Sequence, residues 1–222
     1  MVCELPWLQE MDINPLTLDA EAGMALDARV VIDPAKMADG GRYEQLAIHP
    51  YPVHLVQKTR LRDGSDLIIR PIRPEDAEAE KRFVENLSEH SRRMRFFSGA
   101  KILSPRLLAR LTQIDYGREM ALVAWLRENS GEHMVGVARY SPMPDGRNCE
   151  FAVAVDDAWH GRGLGKQLFR LIAESARAAG YHRLVGFVCE ENGKMIRMMR
   201  SLDAVEKADH EDKSRLVYSV PL

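Results

Sequence analysis

The sequence lacks the features that would direct it to a membrane, a secretory route or a nucleic acid. No stretch approaches the roughly 18 consecutive apolar residues that a membrane-spanning helix requires, and no charged-then-apolar signal segment opens the chain. Cysteine is scarce. Cys3, Cys149 and Cys189 are odd in number and have no Cys-x-x-Cys spacing, and they read as reduced core residues. An excess of either charge is also missing. Thirty-one basic and 33 acidic residues leave a formal charge of -2, so no chain-wide positive field exists to hold a phosphate backbone. Neither nucleic acid nor membrane is an expected partner, and the expected location is the cytoplasm. The basic run Arg92-Arg93-Met94-Arg95 reads as a solvated helix face.

What is present is the composition of a folded protein. Hydrophobic residues make up 45% and charged residues 29%, enough apolar surface to build a core, and 222 residues suffice for one domain plus an appendage. Residues 1–32 offer only two strand-like pieces, 10–16 and 25–32, around a turn, too little to fold alone. Pro34, Gly40-Gly41, Pro50 and Pro52 then break any regular pattern. The expected division is a tail plus linker over 1–52 and a domain over 53–222.

In that domain, residues 53–56 and 67–72 flank Asp63-Gly64 and predict an opening hairpin. Pro74-Glu75-Asp76 starts a helix expected to reach residue 90, and Ser104-Pro105 caps another to 113. Three β-rich runs follow, 120–126, 133–140 and 148–155, separated by Asn129-Ser130-Gly131 and by a second turn at 142–146. The pattern then changes to a helix over 163–179, a strand over 183–189, a helix over 193–202 and a last strand over 216–220. This order predicts a mixed α/β sheet with helices interleaved.

The chemistry concentrates in His160-Gly161-Arg162-Gly163-Leu164-Gly165, where a strand ends and a helix begins. Unpaired N–H groups at the helix start make an anion site, and glycines let the backbone approach a diphosphate closely. The spacing fits neither the dinucleotide-binding fingerprint nor a Walker loop, although Lys166 follows. A phosphate-bearing ligand of another kind remains.

Taken with Asn148-Cys149-Glu150-Phe151-Ala152-Val153-Ala154-Val155 before it and Asn192 heading the next helix, this run resembles the GNAT acetyltransferase superfamily, whose pattern is Gln/Arg-x-x-Gly-x-Gly/Ala, with His160 in the Gln/Arg place. The resemblance implies a GNAT fold: a mixed central sheet with a splayed strand pair and helices on both faces, preceded here by a short non-GNAT segment. It implies acetyl-CoA as co-substrate and no metal. Phe151, Ala152, Val153 and Val155 would face the pantetheine arm, and Arg162, Gly163, Leu164, Gly165 and Lys166 the pyrophosphate. Asn192 would bond the pantetheine, with Lys194 and Arg197 near the phosphates. Read alone, Asn192 also suits a plain helix cap, and the two cations a solvated face.

Glu150 is the catalytic candidate. Strand alternation puts it on one face with Ala152 and Ala154 and points Cys149 the other way. An acceptor ammonium must lose a proton before its nitrogen can attack a thioester, and a carboxylate can take it directly or through water. The alternative is a surface acid paired with a cation. In the GNAT branch that acetylates protein lysines a glutamate in this strand is the general base, and the resemblance carries that role to Glu150. The N–H of Ala152 or Val153 would then serve the oxyanion. The helix after Asn192 has no tyrosine to protonate the departing thiolate, and Ser201 is a weak substitute.

Leu5-Pro6-Trp7, residues 10–16 and Ala25-Leu26-Asp27-Ala28-Arg29 resemble the end of an ATP-grasp domain of NDP-forming acyl-CoA synthetases, in which Asp12 and Asn14 would hold Mg²⁺. The rest of such a domain is missing, so no ATP chemistry is expected. The tandem resembles bacterial lysine acetyltransferases of the Pat type, which join a synthetase-like region to a GNAT domain. The expected function is therefore acetyl-CoA-dependent N-ε-acetylation of a protein lysine, with an acyl-CoA synthetase as partner, by direct transfer in a ternary complex. The alternatives are a GNAT enzyme for a small amine and a non-catalytic acyl-CoA sensor.

Overall fold

A strand whose apolar residues run without interruption has to be covered on both faces, and Met120-Ala121-Leu122-Val123-Ala124-Trp125-Leu126 is such a run, inside the sheet. The computed structural model describes residues 5, 7–37, 46, 48–61, 63–97, 103–128, 131–210 and 212–222; Cys3, Pro6, Gly40-Gly41 and Asn129-Ser130 lie outside the described residues. The chain divides into two units, Met1–Pro50 and Tyr51–Leu222.

In the first unit the two expected strands are four. Strand β1 (Leu8–Ile13) ends before Pro15, which has no N–H to donate; β2 (Leu16–Leu18) and β3 (Gly23–Ala25) form a hairpin; and β4 (Ala28–Ile32) returns antiparallel to β1. Asp19 closes the hairpin, its Oδ1 accepting from the N–H groups of Glu21 and Ala22 at 2.8 and 2.7 Å.

The second unit opens with another correction. Residues 53–55 form a 3-10 turn, and the hairpin partner is the more polar β5 (Gln57–Arg60), paired with β6 (Asp66–Pro71). The tight turn fixes this register: Gly64 sits at φ 89° and donates to the Leu61 carbonyl at 3.0 Å, so the residues next to it pair first. Helix α1 (Ala77–Asn86) starts on Asp76, whose carboxylate takes two 2.7 Å bonds from Arg70 and one of 2.8 Å from the Arg73 N–H. The single helix expected to residue 90 is broken at Leu87-Ser88. Leu87 drops into the core, and the Ser88 hydroxyl accepts from the Ser91 N–H at 3.1 Å, capping α2 (Glu89–Phe96). Helix α3 (Pro105–Thr112) carries the expected Ser104 cap.

Strands β7 (Met120–Glu128), β8 (Gly131–Pro142) and β9 (Asn148–Val155) form the antiparallel meander. Helix α4 (Leu164–Ala178), β10 (Arg183–Cys189), α5 (Gly193–Arg200), β11 (Val205–Ala208) and β12 (Arg215–Pro221) complete the fold. Strand β11 is unanticipated; an edge strand with every residue exposed carries no hydrophobic period. The eight-stranded order is β11-β12-β10-β9-β8-β7-β6-β5, with β9 and β10 the parallel neighbours. Alternation along β7 divides the core. Met120, Leu122 and Ala124 pack with Leu164, Leu168 and Ile172 of α4, while Ala121 and Val123 pack with Phe83 and Val84 of α1 and Leu111 of α3.

Candidate active site

Parallel strands β9 and β10 are in register for three pairs, 148 with 183, 149 with 184 and 150 with 185, and then separate. The next pair would be Phe151 and Gly186. The Phe151 ring lies across Gly186, so close that a β-carbon there would fall 2.4 Å from ring carbons, and it stacks edge-on against Phe169 of α4, with centroids 4.9 Å apart. Beyond this point a cleft of about 680 Å³ opens between the strands. Its walls are β9 from Glu150 to Val155, the turn into α4, Phe187 and Val188 of β10, the start and one side of α5, and α2.

The turn into α4 is built by its side chains. Asp156 accepts from the Ala158 N–H at 2.9 Å. Asp157 reaches across to α2, accepting from the Ser88 N–H, the Ser88 hydroxyl and the Ser91 hydroxyl at 2.8, 3.0 and 2.6 Å. Partial burial pushes the Asp157 carboxyl up, but these bonds outweigh it and the pKa is lowered. Stability from this group is therefore present above the ordinary Asp value of about 3.9 and is lost as pH falls through the depressed one. Asp157→Asn is accordingly expected to melt below the wild type at pH 6, with the gap narrowing below about pH 4; a gap constant across that range in thermal melts would contradict this role.

Gly161 and Gly163 take φ values of 77° and 89°, a region costly for residues with a β-carbon, and Gly163 is the N-cap of α4. Gly165 is different: a β-carbon there would make only ordinary contacts with Val155 and Met198, at 3.7 and 3.9 Å.

The candidate residues divide by what their side chains do. Ala152, Val153 and Val155 line the cleft half-buried or nearly buried, whereas Phe151 is 4% exposed and serves as much to pack as to line. Leu164 is fully buried, which leaves its backbone to the cleft. His160 stands between Val155 and α5: its Nε2 lies 3.0 Å from the Val155 carbonyl and its Nδ1 2.7 Å from Nζ of Lys194. One tautomer, with the proton on Nε2, satisfies both contacts. Lys166 donates to the Ser201 hydroxyl at 3.3 Å, and Arg197 lies against Gly193 on the cleft wall. Asn192 is a true cap, its Oδ1 accepting from the Met195 N–H at 3.1 Å, with its amide N–H groups left for a ligand. The Arg162 guanidinium pairs with Asp63 at 2.7 Å and lies 4.5 Å from the Trp159 ring, so in this arrangement its backbone, and not its side chain, is what the turn presents to the cleft.

Glu150 is exposed at the last β9–β10 pair and lines the cleft together with α2. Cys149 is fully buried, and burial pushes its thiol up to about 12, so it is no nucleophile at neutral pH. Ser201 donates to the Met198 carbonyl at 2.8 Å and sits beside Lys166, toward the start of α4.

Helix α2 was not anticipated as a wall. Leu87, His90, Ser91, Met94 and Arg95 line the cleft at helical spacing, and Arg92 is buried, its guanidinium bonded to the Leu87 carbonyl. The basic run is therefore not a solvated face. Its signal in the sequence was the Ser88 cap, which restarts the helical phase just ahead of it. Among the described residues no cluster of His, Cys, Asp and Glu could hold a metal, and no helix is long and apolar enough to cross a membrane.

The arrangement can hold a polyanion at the α4 start, among the glycine N–H groups and the cations Lys166, Lys194 and Arg197, with an extended arm along the free edge of β9. Comparison with known proteins agrees with this architecture. The acetyltransferase (GNAT) family profile matches residues 85–203. Acetyltransferase PA5475 of Pseudomonas aeruginosa is 34% identical over 162 residues, covering 73% of this chain and 87% of that protein. Acetyltransferase Pat of Mycolicibacterium smegmatis is 29% identical over 161 residues, 71% of this chain but 45% of that protein. The crystal structure of the GNAT domain of S. lividans PAT superposes with a TM-score of 0.71 at 29% identity, covering 78% of this chain and all of that domain.

Proposed function

The chain belongs to the GNAT acetyltransferase family, a family of N-acyltransferases, and from that premise we propose that it acetylates the side-chain amine of a lysine in a protein acceptor, with an acyl-CoA synthetase as the acceptor and Glu150 as general base. One observation carries the reading. Glu150 projects into the cleft from the point at which β9 leaves β10, on the α2 side, while the glycine turn and its cations occupy the α4 end. A carboxylate there is separated from the anion site by about the length of the free β9 edge, where a thioester at the end of a pantetheine arm would lie.

Acetyl-CoA supplies an activated acyl carbon and a leaving thiolate. Gly161, Gly163 and Gly165 present backbone N–H groups to the diphosphate, and Lys166, Lys194 and Arg197 balance its charge. The unpaired edge of β9 offers N–H groups, that of Ala152 or Val153 among them, to the carbonyl oxygen as it gains charge. Glu150 takes a proton from the acceptor ammonium; the freed nitrogen attacks the acyl carbon, the C–S bond breaks with its electron pair on sulfur, and the second proton that the nitrogen must shed passes to the departing thiolate, leaving the neutral amide and the CoA thiol. No nucleophile intervenes, consistent with the buried Cys149. The Pat identity of two relatives supports a protein acceptor.

The test is thiol release from acetyl-CoA with a purified AMP-forming acetyl-CoA synthetase as acceptor, together with calorimetric titration of acetyl-CoA. Release above the acceptor-free background is expected. Binding without turnover on any amine would instead indicate an acyl-CoA sensor, and turnover confined to small amines would indicate a small-molecule acetyltransferase.

A further inference from the structure

Of the cations Lys166, Lys194 and Arg197 that line the cleft beside the glycine turn, Lys194 is already engaged. Its Nζ lies 2.7 Å from Nδ1 of His160, and Nε2 of the same ring lies 3.0 Å from the Val155 carbonyl. A carbonyl oxygen can only accept and an ammonium can only donate, so Nε2 carries the ring proton and Nδ1 presents its lone pair to Lys194. The ring that makes both contacts is the neutral imidazole. A second proton, on Nδ1, would set one N–H against another and two positive charges side by side. The other charged groups around the ring do not lift this constraint. Asp157, in the turn before it, has Oδ1 3.9 Å from Nδ1, but that oxygen already accepts from the Ser88 and Ser91 hydroxyls. Lys166 at the start of α4, and Glu191 and Arg197 on the α5 side, line the same cleft. Arg162, two residues on, is paired with Asp63.

We propose that His160 is a proton-coupled ligand of the diphosphate: as the anion draws Lys194 to itself, Nδ1 takes a proton from solvent and the imidazolium becomes a further cation of the site. This rests on the glycine turn as the diphosphate site and is independent of Glu150 and of the acceptor. Two causes act in one direction. The diphosphate brings negative charge to the turn, which favours the charged form of a base beside it, and Lys194, in leaving Nδ1, removes the like charge that opposes it. Nε2 keeps its bond to the Val155 carbonyl, so the ring stays in place and only Nδ1 changes from acceptor to donor. One proton enters from solvent with the ligand and returns to solvent when CoA leaves; no covalent bond to carbon, sulfur or phosphorus changes. Histidine suits this exchange because its ordinary titration falls in the neutral range, whereas the glutamine or arginine of the family pattern exchanges no proton there. Binding linked to proton uptake weakens as pH rises.

The test is calorimetric titration of the full chain near pH 7 in buffers of different ionisation enthalpy, with 3′-dephospho-CoA as the probe. The 3′-phosphate of CoA titrates near about 6 and would itself release a proton beside cations, whereas the dephospho form carries only the diphosphate. The binding enthalpy is expected to vary with the buffer in the sense of uptake, by roughly 0.3–0.7 of a proton, and the affinity to fall roughly three- to tenfold from about pH 6 to about pH 8. In His160→Gln the buffer dependence and the pH slope should both vanish. In His90→Gln, which removes the second histidine lining the cleft, both should remain. Lys194→Met takes away one of the two causes and should reduce the uptake. No uptake by the wild type, or undiminished uptake in His160→Gln or Lys194→Met, overturns the proposal and leaves the diphosphate site standing. Failure of the wild type to bind 3′-dephospho-CoA and acetyl-CoA alike would remove the diphosphate reading and this inference with it. The wild-type buffer series needs no variant, so it remains decisive even where a substitution prevents folding.

Discussion

Glu150→Gln is expected to lower kcat by about 10²–10⁴-fold while leaving acetyl-CoA affinity and the melting temperature where they are. The amide matches the carboxylate in shape but cannot accept the ammonium proton. Glu150 is exposed, so its replacement removes no packing; a surface change of this kind moves stability by at most about 0.5 kcal/mol. The diphosphate contacts lie at the other end of the cleft. A loss confined to kcat, measured by thiol release alongside calorimetric binding, therefore isolates proton transfer. Equal rates for variant and wild type would end the general-base assignment, and a loss of affinity instead would make Glu150 part of the binding surface.

Much of this site was legible in the sequence because its parts are local. A strand running into a glycine-rich turn and a helix is written in consecutive residues, and the expected bounds of the strand over 148–155 and of that over 183–189 coincide with β9 and β10. The separation of those strands agrees with the family's splayed pair. What escaped depends on contacts between distant segments. Asp63, ninety-nine positions from Arg162, takes its guanidinium, a contact that nothing in the glycine-rich motif announces. Asn192 could be read as ligand or cap, and the Met195 N–H shows that its oxygen caps. The helix expected to end at residue 90 breaks at Leu87-Ser88, and α2 then runs to Phe96, which brings Leu87, Met94 and Arg95 to the cleft. Strand β11 gave no signal, since an exposed edge strand has no buried face to set a period.

Gly186 is the clearest case of a residue whose role only packing reveals, and its replacement is predicted to have the second large effect. It lies in a run that reads simply as an apolar strand, Leu184-Val185-Gly186-Phe187-Val188. The space where its side chain would be is filled by the Phe151 ring, which Phe169 backs from α4. In Gly186→Ala the new methyl would stand 2.4 Å from ring carbons, so Phe151 has to move. Phe169 and the buried α4 face obstruct movement toward the core, because Leu168 and Ile172 there are fully buried. The open direction is the cleft, along the edge of β9 that would carry the pantetheine arm. Overpacking of this kind costs about 1–3 kcal/mol, which should appear as a lower melting temperature. The displaced ring should weaken acetyl-CoA binding as well. The double variant Gly186→Ala with Phe151→Leu separates the two effects, since a smaller side chain relieves the clash without entering the cleft and should restore much of the affinity. If Gly186→Ala binds acetyl-CoA like the wild type, the Phe151–Gly186 contact does not govern the width of the cleft.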